Sequence, residues 1–144
     1  MLYFYLALLN LNGSGVTNLG VIRLIGTSAA ATLTGGLTVQ TASRINTDVI
    51  TGTNTLTIST IGITNTAGIT FGVTSAGSIN VTSGISGSNA STSNLIKDGS
   101  GAGKLRWSNA NTYAGTTTVT AGILQITNND ALDGSQATTV SSGA

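Results

Sequence analysis

The sequence predicts an all-β protein, and most specifically a β-solenoid whose chain coils about six times. From residue 16 onward, short runs of alternating apolar and small polar residues recur between clusters of Gly, Asn and Ser, and no segment has the apolar stripe of a helix. Apolar pairs such as Leu37/Val39 and Leu56/Ile58 follow one another at intervals of roughly 20 residues or slightly more, which is typical of a solenoid. The same turn spacing also suits a β-sandwich with seven or eight short strands, which is the alternative fold.

Composition supports this fold and excludes most kinds of enzyme. Of 144 residues, 20 are Gly, about half are Gly, Ser, Thr or Asn, only 6% are charged, and the formal net charge is +1. Such a chain, rich in β-branched residues, is not expected to be disordered. Because it has no His and no Cys, it cannot form a Ser-His-Asp triad, a cysteine nucleophile, a zinc or haem site or a disulfide. We therefore expect no enzymatic activity, no cofactor and no metal, and the low charge argues against a nucleic-acid partner.

The predicted strands supply one continuous inward ladder of apolar side chains, while outward Thr, Ser and Asn form polar ladders. After the two pairs above, the strands contain Ile61 and Ile63, Ile69, Phe71 and Val73, Ile79 and Val81, Leu105 and Trp107, and Val119 with Ile123, Leu124 and Ile126. The residues that we expect to be buried in the ladder are Leu56, Ile58, Phe71, Val81, Leu105, Trp107, Val119, Leu124 and Ile126.

The first segment differs from the rest of the single domain that we assign to residues 1–144. Met1 to Leu11 is apolar on both faces of an extended chain but too short to cross a bilayer as a helix, so no transmembrane segment is predicted. A signal peptide is one interpretation, although the segment lacks a basic start. The other is a strand covered on both sides that promotes assembly or caps the stack. This assembly hypothesis rests on Leu2, Tyr3, Phe4, Tyr5, Leu6, Leu8 and Leu9.

Several motifs suggest chemistry but are better explained by turns and packing. Gly99 to Lys104 has the wrong spacing for a phosphate loop and predicts a glycine turn. Asn128, Asp130 and Asp133 offer oxygen atoms to calcium, but they lack the order of a known calcium loop, so a solvated turn is expected. Trp107 and Tyr113 could offer a platform for sugar stacking, but Trp107 has the inward register of Leu105, which favours packing.

The last third of the chain contains a more specific set of motifs. In order, they are Leu95–Gly101 (LIKDGSG), Lys104–Trp107 (KLRW), Asn109–Val119 (NANTYAGTTTV), Ala121–Gln125 (AGILQ), Asp130–Leu132 and Val140–Ala144. This order resembles the autotransporter-associated β-strand repeat of bacterial surface proteins, over residues 95–144. The resemblance implies a right-handed parallel β-helix in an exported passenger region, where the repeat is thought to assist folding during transport. The residues that fall on the motif are Lys97, Gly99, Leu105, Asn111, Thr112, Tyr113, Gly115, Val119, Gly122 and Leu124.

The chain thus divides into the N-terminal segment 1–15, irregular coils over 16–94 and repeat-like coils over 95–144. We expect a non-catalytic structural part of a secreted bacterial surface protein, extracellular or at the cell surface, rather than a complete autotransporter. The ends of a coiled stack carry unpaired backbone groups, and neither end of the sequence shows a polar cap. End-to-end self-assembly into a filament is therefore the first functional hypothesis.

Two other functions compete with assembly. An adhesin or passenger fragment would bind host protein or glycan as a monomeric stalk. An enzyme similar to the polysaccharide lyases with a β-helix fold would need several acidic and basic side chains on one face, and the chain has only 5 Lys+Arg and 4 Asp+Glu. The enzyme is therefore the least favoured of the three.

Overall fold

The computed structural model describes residues 2–4, 9–13, 15–63, 68–87, 93–132, 137–142 and 144. This part of the chain forms fifteen strands and a short 3₁₀ turn at Val16–Asn18, without an α-helix. The strands are β1 (Leu2–Phe4), β2 (Leu9–Leu11), β3 (Ile22–Thr27), β4 (Ala30–Leu33), β5 (Leu37–Val39), β6 (Ser43–Thr51), β7 (Thr55–Ile63), β8 (Ile69–Val73), β9 (Ser78–Gly87), β10 (Leu95–Asp98), β11 (Lys104–Trp107), β12 (Thr112–Tyr113), β13 (Thr117–Val119), β14 (Ile123–Ile126) and β15 (Thr138–Val140).

The strands form two parallel sheets, between which the chain alternates as it coils. In the described residues, sheet A has nine strands, with the order β1-β4-β7-β9-β11-β14; β2 and β5 extend its N-terminal side, and β12 pairs with β9. Sheet B has six strands, with the order β3-β6-β8-β10-β13-β15. The molecule is therefore a β-solenoid of about five turns, close to the predicted six. Its parallel pairing rules out the antiparallel sandwich.

Strand registers align the alternating apolar residues into inward ladders. On sheet A, Leu56 is in register with Ile79, which is in register with Leu105, and all three are buried. On sheet B, Phe71 lies between Ile45 and Lys97. The predicted core residues that are confirmed as buried are Leu56, Ile58, Phe71, Val81, Leu105, Trp107 and Val119.

The prediction of burial is wrong for two residues of β14. Leu124 is only partly buried, and Ile126 is 44% exposed. Both have the inward register, since Leu124 pairs with Leu105 and Ile126 with Trp107. They are exposed because β14 is the last strand of sheet A in the described residues, and no further described coil stacks on it along the solenoid axis.

The N-terminal segment lies at the opposite edge of the solenoid. β1 pairs with β4, with Leu2 opposite Ala31, and β2 pairs with β5, with Leu9 opposite Leu37. Leu11 is buried in the core, and Leu9 packs partly against it. Of the residues proposed for assembly, Tyr5, Leu6 and Leu8 lie outside the described residues, so the two-sided burial of this segment remains a prediction.

Candidate functional site

The repeat-like coils are joined by a buried lysine. Among the described residues, Lys97 is the one charged residue in the core, at 1% exposure, because it follows Leu95 by two positions in β10. Its Nζ donates to the carbonyl oxygens of Asp98, at 2.5 Å, and Ala121, at 3.0 Å. Since Ala121 follows β13, the strand that pairs with β10, the ammonium group connects two successive coils. Burial lowers the pKa of Lys97 from 10.5 to about 8; the Asp98 carboxylate opposes this shift and Arg44 adds to it.

Two motif glycines lie where successive coils approach each other closely, and one of them makes room for the Lys97 ammonium group. Gly122 has a φ of 77°, and a Cβ there would lie 2.7 Å from Lys97 Nζ and 2.8 Å from the carbonyl oxygen of Gly103. Gly99 has a φ of 100°, and a Cβ there would overlap the backbone of Val73 in the preceding coil. Both positions therefore need glycine for backbone conformation and for space. The segment from Gly99 leads through a turn into β11, as expected of a glycine turn.

Asn111 makes a similar connection at the corner before β12. Its buried side chain accepts a hydrogen bond from the backbone N–H of Ile85, at 2.7 Å, and donates one to the carbonyl oxygen of Ala131, at 2.6 Å. Ile85 belongs to the preceding coil and Ala131 to the following one. One amide thus holds three levels of the stack together, and its backbone partners would otherwise be buried without hydrogen bonds.

The aromatic residues of the repeat pack inside the solenoid. Trp107 and Tyr113 are buried, with ring centroids 6.0 Å apart and an angle of 67° between the ring planes. The Tyr113 hydroxyl forms a short hydrogen bond with the buried Thr117 hydroxyl. This edge-to-face pair stabilises the interior and leaves neither ring free for a sugar.

The other motif residues are also structural in position. Leu105 and Val119 are in the core, Gly115 is buried, and Thr112 is exposed on β12 opposite Ser86. With Lys97, Gly99, Asn111, Tyr113 and Gly122, they form a unit that stabilises the solenoid rather than a pocket.

In the described residues, the C-terminal end of the solenoid presents exposed apolar side chains. Ile126 and Val140 have inward registers, opposite Trp107 and Val119, but they are 44% and 63% exposed. With Leu124 and Leu132 they line a cleft of about 340 Å³. The cleft is thus the end of the core that no described strand covers.

Two ion pairs occupy the outer side of sheet B. Arg23 on β3 pairs with Asp48 on β6, and Arg44 on β6 pairs with Asp98 on β10 at 2.6 Å. The second pair passes over Gly72 of β8, where a Cβ would meet the Arg44 guanidinium. These pairs neutralise the outer charges of sheet B.

The sequence-based calcium candidate is not assembled into a site by the described residues. Asn128 Oδ1 accepts the backbone N–H of Asp130, at 2.8 Å, which is the hydrogen bond of a local turn. Asp133 lies outside the described residues. In the described ranges, no group of three His, Cys, Asp or Glu side chains is placed to hold a metal ion. The same ranges contain no helix that is long and apolar enough to cross a membrane.

These features define a repeat solenoid whose distinctive residues connect coils. Residues 95–126 match the family model of the passenger-associated-transport-repeat, which confirms the resemblance seen in the sequence. No significant match is found among curated proteins or solved structures. The fold and the repeat fit a segment of an autotransporter passenger, and they indicate a secreted or surface protein.

Lys97 was named from the sequence as a motif residue but not as a buried one, and Asn54 was not predicted. The inward position of Lys97 follows from the two-residue period of β10, so this signal was present. Asn54 is another buried bridge, because it accepts the N–H of Ala29 and donates to the carbonyl oxygen of Asp48. Its position in the Thr- and Gly-rich segment 51–55 (TGTNT) gave no sign of that role.

Proposed function

We propose that this chain is a non-catalytic structural segment of an extracellular bacterial surface solenoid, and that copies of it stack end to end. The observation that carries this proposal is the exposure of Val140 and Ile126 in the inward register at the C-terminal end. A solenoid normally covers such residues with a cap or with a further coil. In the described residues they line an apolar cleft.

The sheet topology favours a second copy as the cover. Every strand pair in the described residues is parallel, so in sheet A β14 at one end runs in the same direction as β1 at the other, and in sheet B β15 runs in the same direction as β3. Stacking by rotation and translation along the axis would bring β14 and β15 of one copy against β1 and β3 of the next in the parallel sense. A contact of this kind does not close on itself, and repetition produces a filament.

A structural function also agrees with the contacts that the polar and charged side chains make. The buried ones hold coils together, as Lys97 and Asn111 do, and the acidic residues of sheet B, Asp48 and Asp98, are tied to arginines. None of these groups is free to act as a general acid or base in an open cleft, which is the arrangement that hydrolysis requires.

The test compares the assembly of the intact chain with that of a variant altered at the open end. We expect the intact chain to form filaments in negative-stain electron microscopy, and the Ile126→Gln/Val140→Gln variant to remain monomeric in light scattering. Ile50→Gln is the matched control, because Ile50 is 68% exposed on β6 in the interior of sheet B. Monodisperse particles of the intact chain would instead support the rival function, a monomeric stalk that binds host protein or glycan.

A further inference from the structure

The outer sides of the two sheets differ in their charged residues. The described strands of sheet B contain both acidic strand residues, Asp48 and Asp98, each paired with an arginine on the outer side. The described strands of sheet A contain no acidic residue and two cations, Lys104 and Arg106. Both are exposed and outward on β11, because Leu105 and Trp107 take the inward positions.

The described residues supply no counter-ion for these two cations. Within the described part of the chain, neither Lys104 nor Arg106 takes part in an ion pair. The acidic residue Asp130 lies in the turn after β14, where its backbone carbonyl oxygen accepts the N–H of Asn111. Among the described residues, the outer side of sheet A therefore carries a positive charge that no ion pair compensates, in a molecule whose net charge is only +1.

Shallow grooves lined by polar groups run beside both cations. A groove of about 440 Å³ is lined by Lys104 and Arg106 together with Thr55, Ser78 and Gln125. A second one, of about 220 Å³, lies beside Arg106 and is lined by Asn80, Thr82, Ser108 and Thr127. Strand register places Thr57, Asn80, Arg106 and Gln125 in one row across four coils, at about 4.8 Å per coil.

The chemistry of this row selects the class of ligand. Hydroxyl and amide groups repeated along the axis match the hydroxyl groups of an extended sugar chain, and the two cations match carboxylate or sulfate groups on it. Neutral sugars are commonly held by stacking on aromatic rings, but Trp107, Tyr113 and Phe71 are buried. Two cations are too few to hold a nucleic acid, whose binding depends on many phosphate contacts.

We propose that the outer side of sheet A around Lys104 and Arg106 binds a linear acidic polysaccharide that lies along the solenoid axis. Because Lys104 and Arg106 lie on the same strand, the bound chain places one acidic group between them at β11 and its hydroxyl groups against β7, β9 and β14. This surface is on the side of the solenoid, so the proposal does not depend on stacking through the ends.

The experiment measures binding of polygalacturonate to the intact chain by titration calorimetry, with neutral dextran and single-stranded DNA as comparison ligands. We expect polygalacturonate to bind at low salt, and log K to fall linearly with log salt because contacts with the two cations release counter-ions from the polyanion. Removal of both charges in Lys104→Gln/Arg106→Gln should weaken binding by about 100-fold, about tenfold for each charge-assisted contact. Circular dichroism checks that the variant is folded, which we expect because both side chains are exposed.

Arg23→Gln is the matched control, because it removes one positive charge from the outer side of sheet B. It should change the affinity by less than about twofold. Equal weakening by this control, equal binding of dextran or DNA, or no binding of polygalacturonate would overturn the proposal. The titration is repeated with Ile126→Gln/Val140→Gln, which retains the polysaccharide affinity whether or not the ends stack.

Discussion

Lys97 Nζ lies 2.7 Å from the point where a Cβ of Gly122 would stand, so the buried ammonium group and the missing side chain occupy one space. The side chain of Lys97 extends from β10 to the turn after β13, where its Nζ donates a hydrogen bond to the carbonyl oxygen of Ala121. The motif therefore places a lysine on one coil and a glycine on the next, and the pair connects the two coils.

This relationship predicts the effect of substituting Gly122. Gly122→Ala should lower the free energy of unfolding by about 2 kcal/mol or more, because the new methyl group strains a positive-φ backbone and displaces Nζ. Chemical denaturation measures the change. Gly13→Ala is the matched control, since Gly13 has a φ of 84° and no atom within 4 Å of an added Cβ. A loss no larger than that of Gly13→Ala would show that the contact with Lys97 contributes nothing.

Stability should rise with pH through the titration of Lys97. Its pKa is about 8 in the folded protein and 10.5 for an exposed lysine, so above pH 8 the unfolded chain binds more protons than the folded one. Folding is therefore favoured as pH increases from 8 towards 9.5, with a slope of at most about 1.4 kcal/mol per pH unit. Denaturation at a series of pH values tests this. Lys97→Met should have no such rise in this window, and an equal rise in that variant would contradict the assignment.

The core register makes a further prediction. Leu105→Asp should abolish folding, because an unpaired carboxylate buried at a position 1% exposed costs several kcal/mol, comparable with the stability of a whole domain. Arg106→Asp is the control on the exposed neighbour in β11, and it should leave the far-ultraviolet circular dichroism spectrum unchanged. A folded Leu105→Asp variant with an unchanged melting temperature would refute the inward register.

Calcium should have no effect on the protein. Asn128 and Asp130 are engaged in a local turn, and the described residues contain no metal-binding cluster, so we expect chelators and added calcium to leave the melting temperature unchanged. A ligand that binds only the folded state would raise it by mass action. An increase of many degrees on addition of calcium would show that Asn128, Asp130 and Asp133 form a site.

The sequence predicted local geometry better than relationships between coils. The alternation of apolar and polar residues was enough to assign Leu105 and Trp107 to the core, because residues two positions apart in a strand point to the same face of the sheet. It could not predict the exposure of Ile126, since that depends on whether another coil follows β14. Nor could it predict that Arg44 reaches Asp98 across 54 positions, because this needs the register of three strands and a glycine in the middle one.

The last prediction concerns the N-terminal segment, where β1 forms the outer edge of sheet A in the described residues. Deletion of residues 1–11 should give shorter assemblies or monomers, since it removes the edge that would receive β14 of another copy. Because Leu11 is part of the core, a deletion of residues 1–4 is the sharper variant: it removes β1 and keeps β2. Electron microscopy measures filament length, and added salt should matter little with 6% charged residues. If both truncated chains form filaments of the original length, β1 caps its own molecule and stacking does not use this edge.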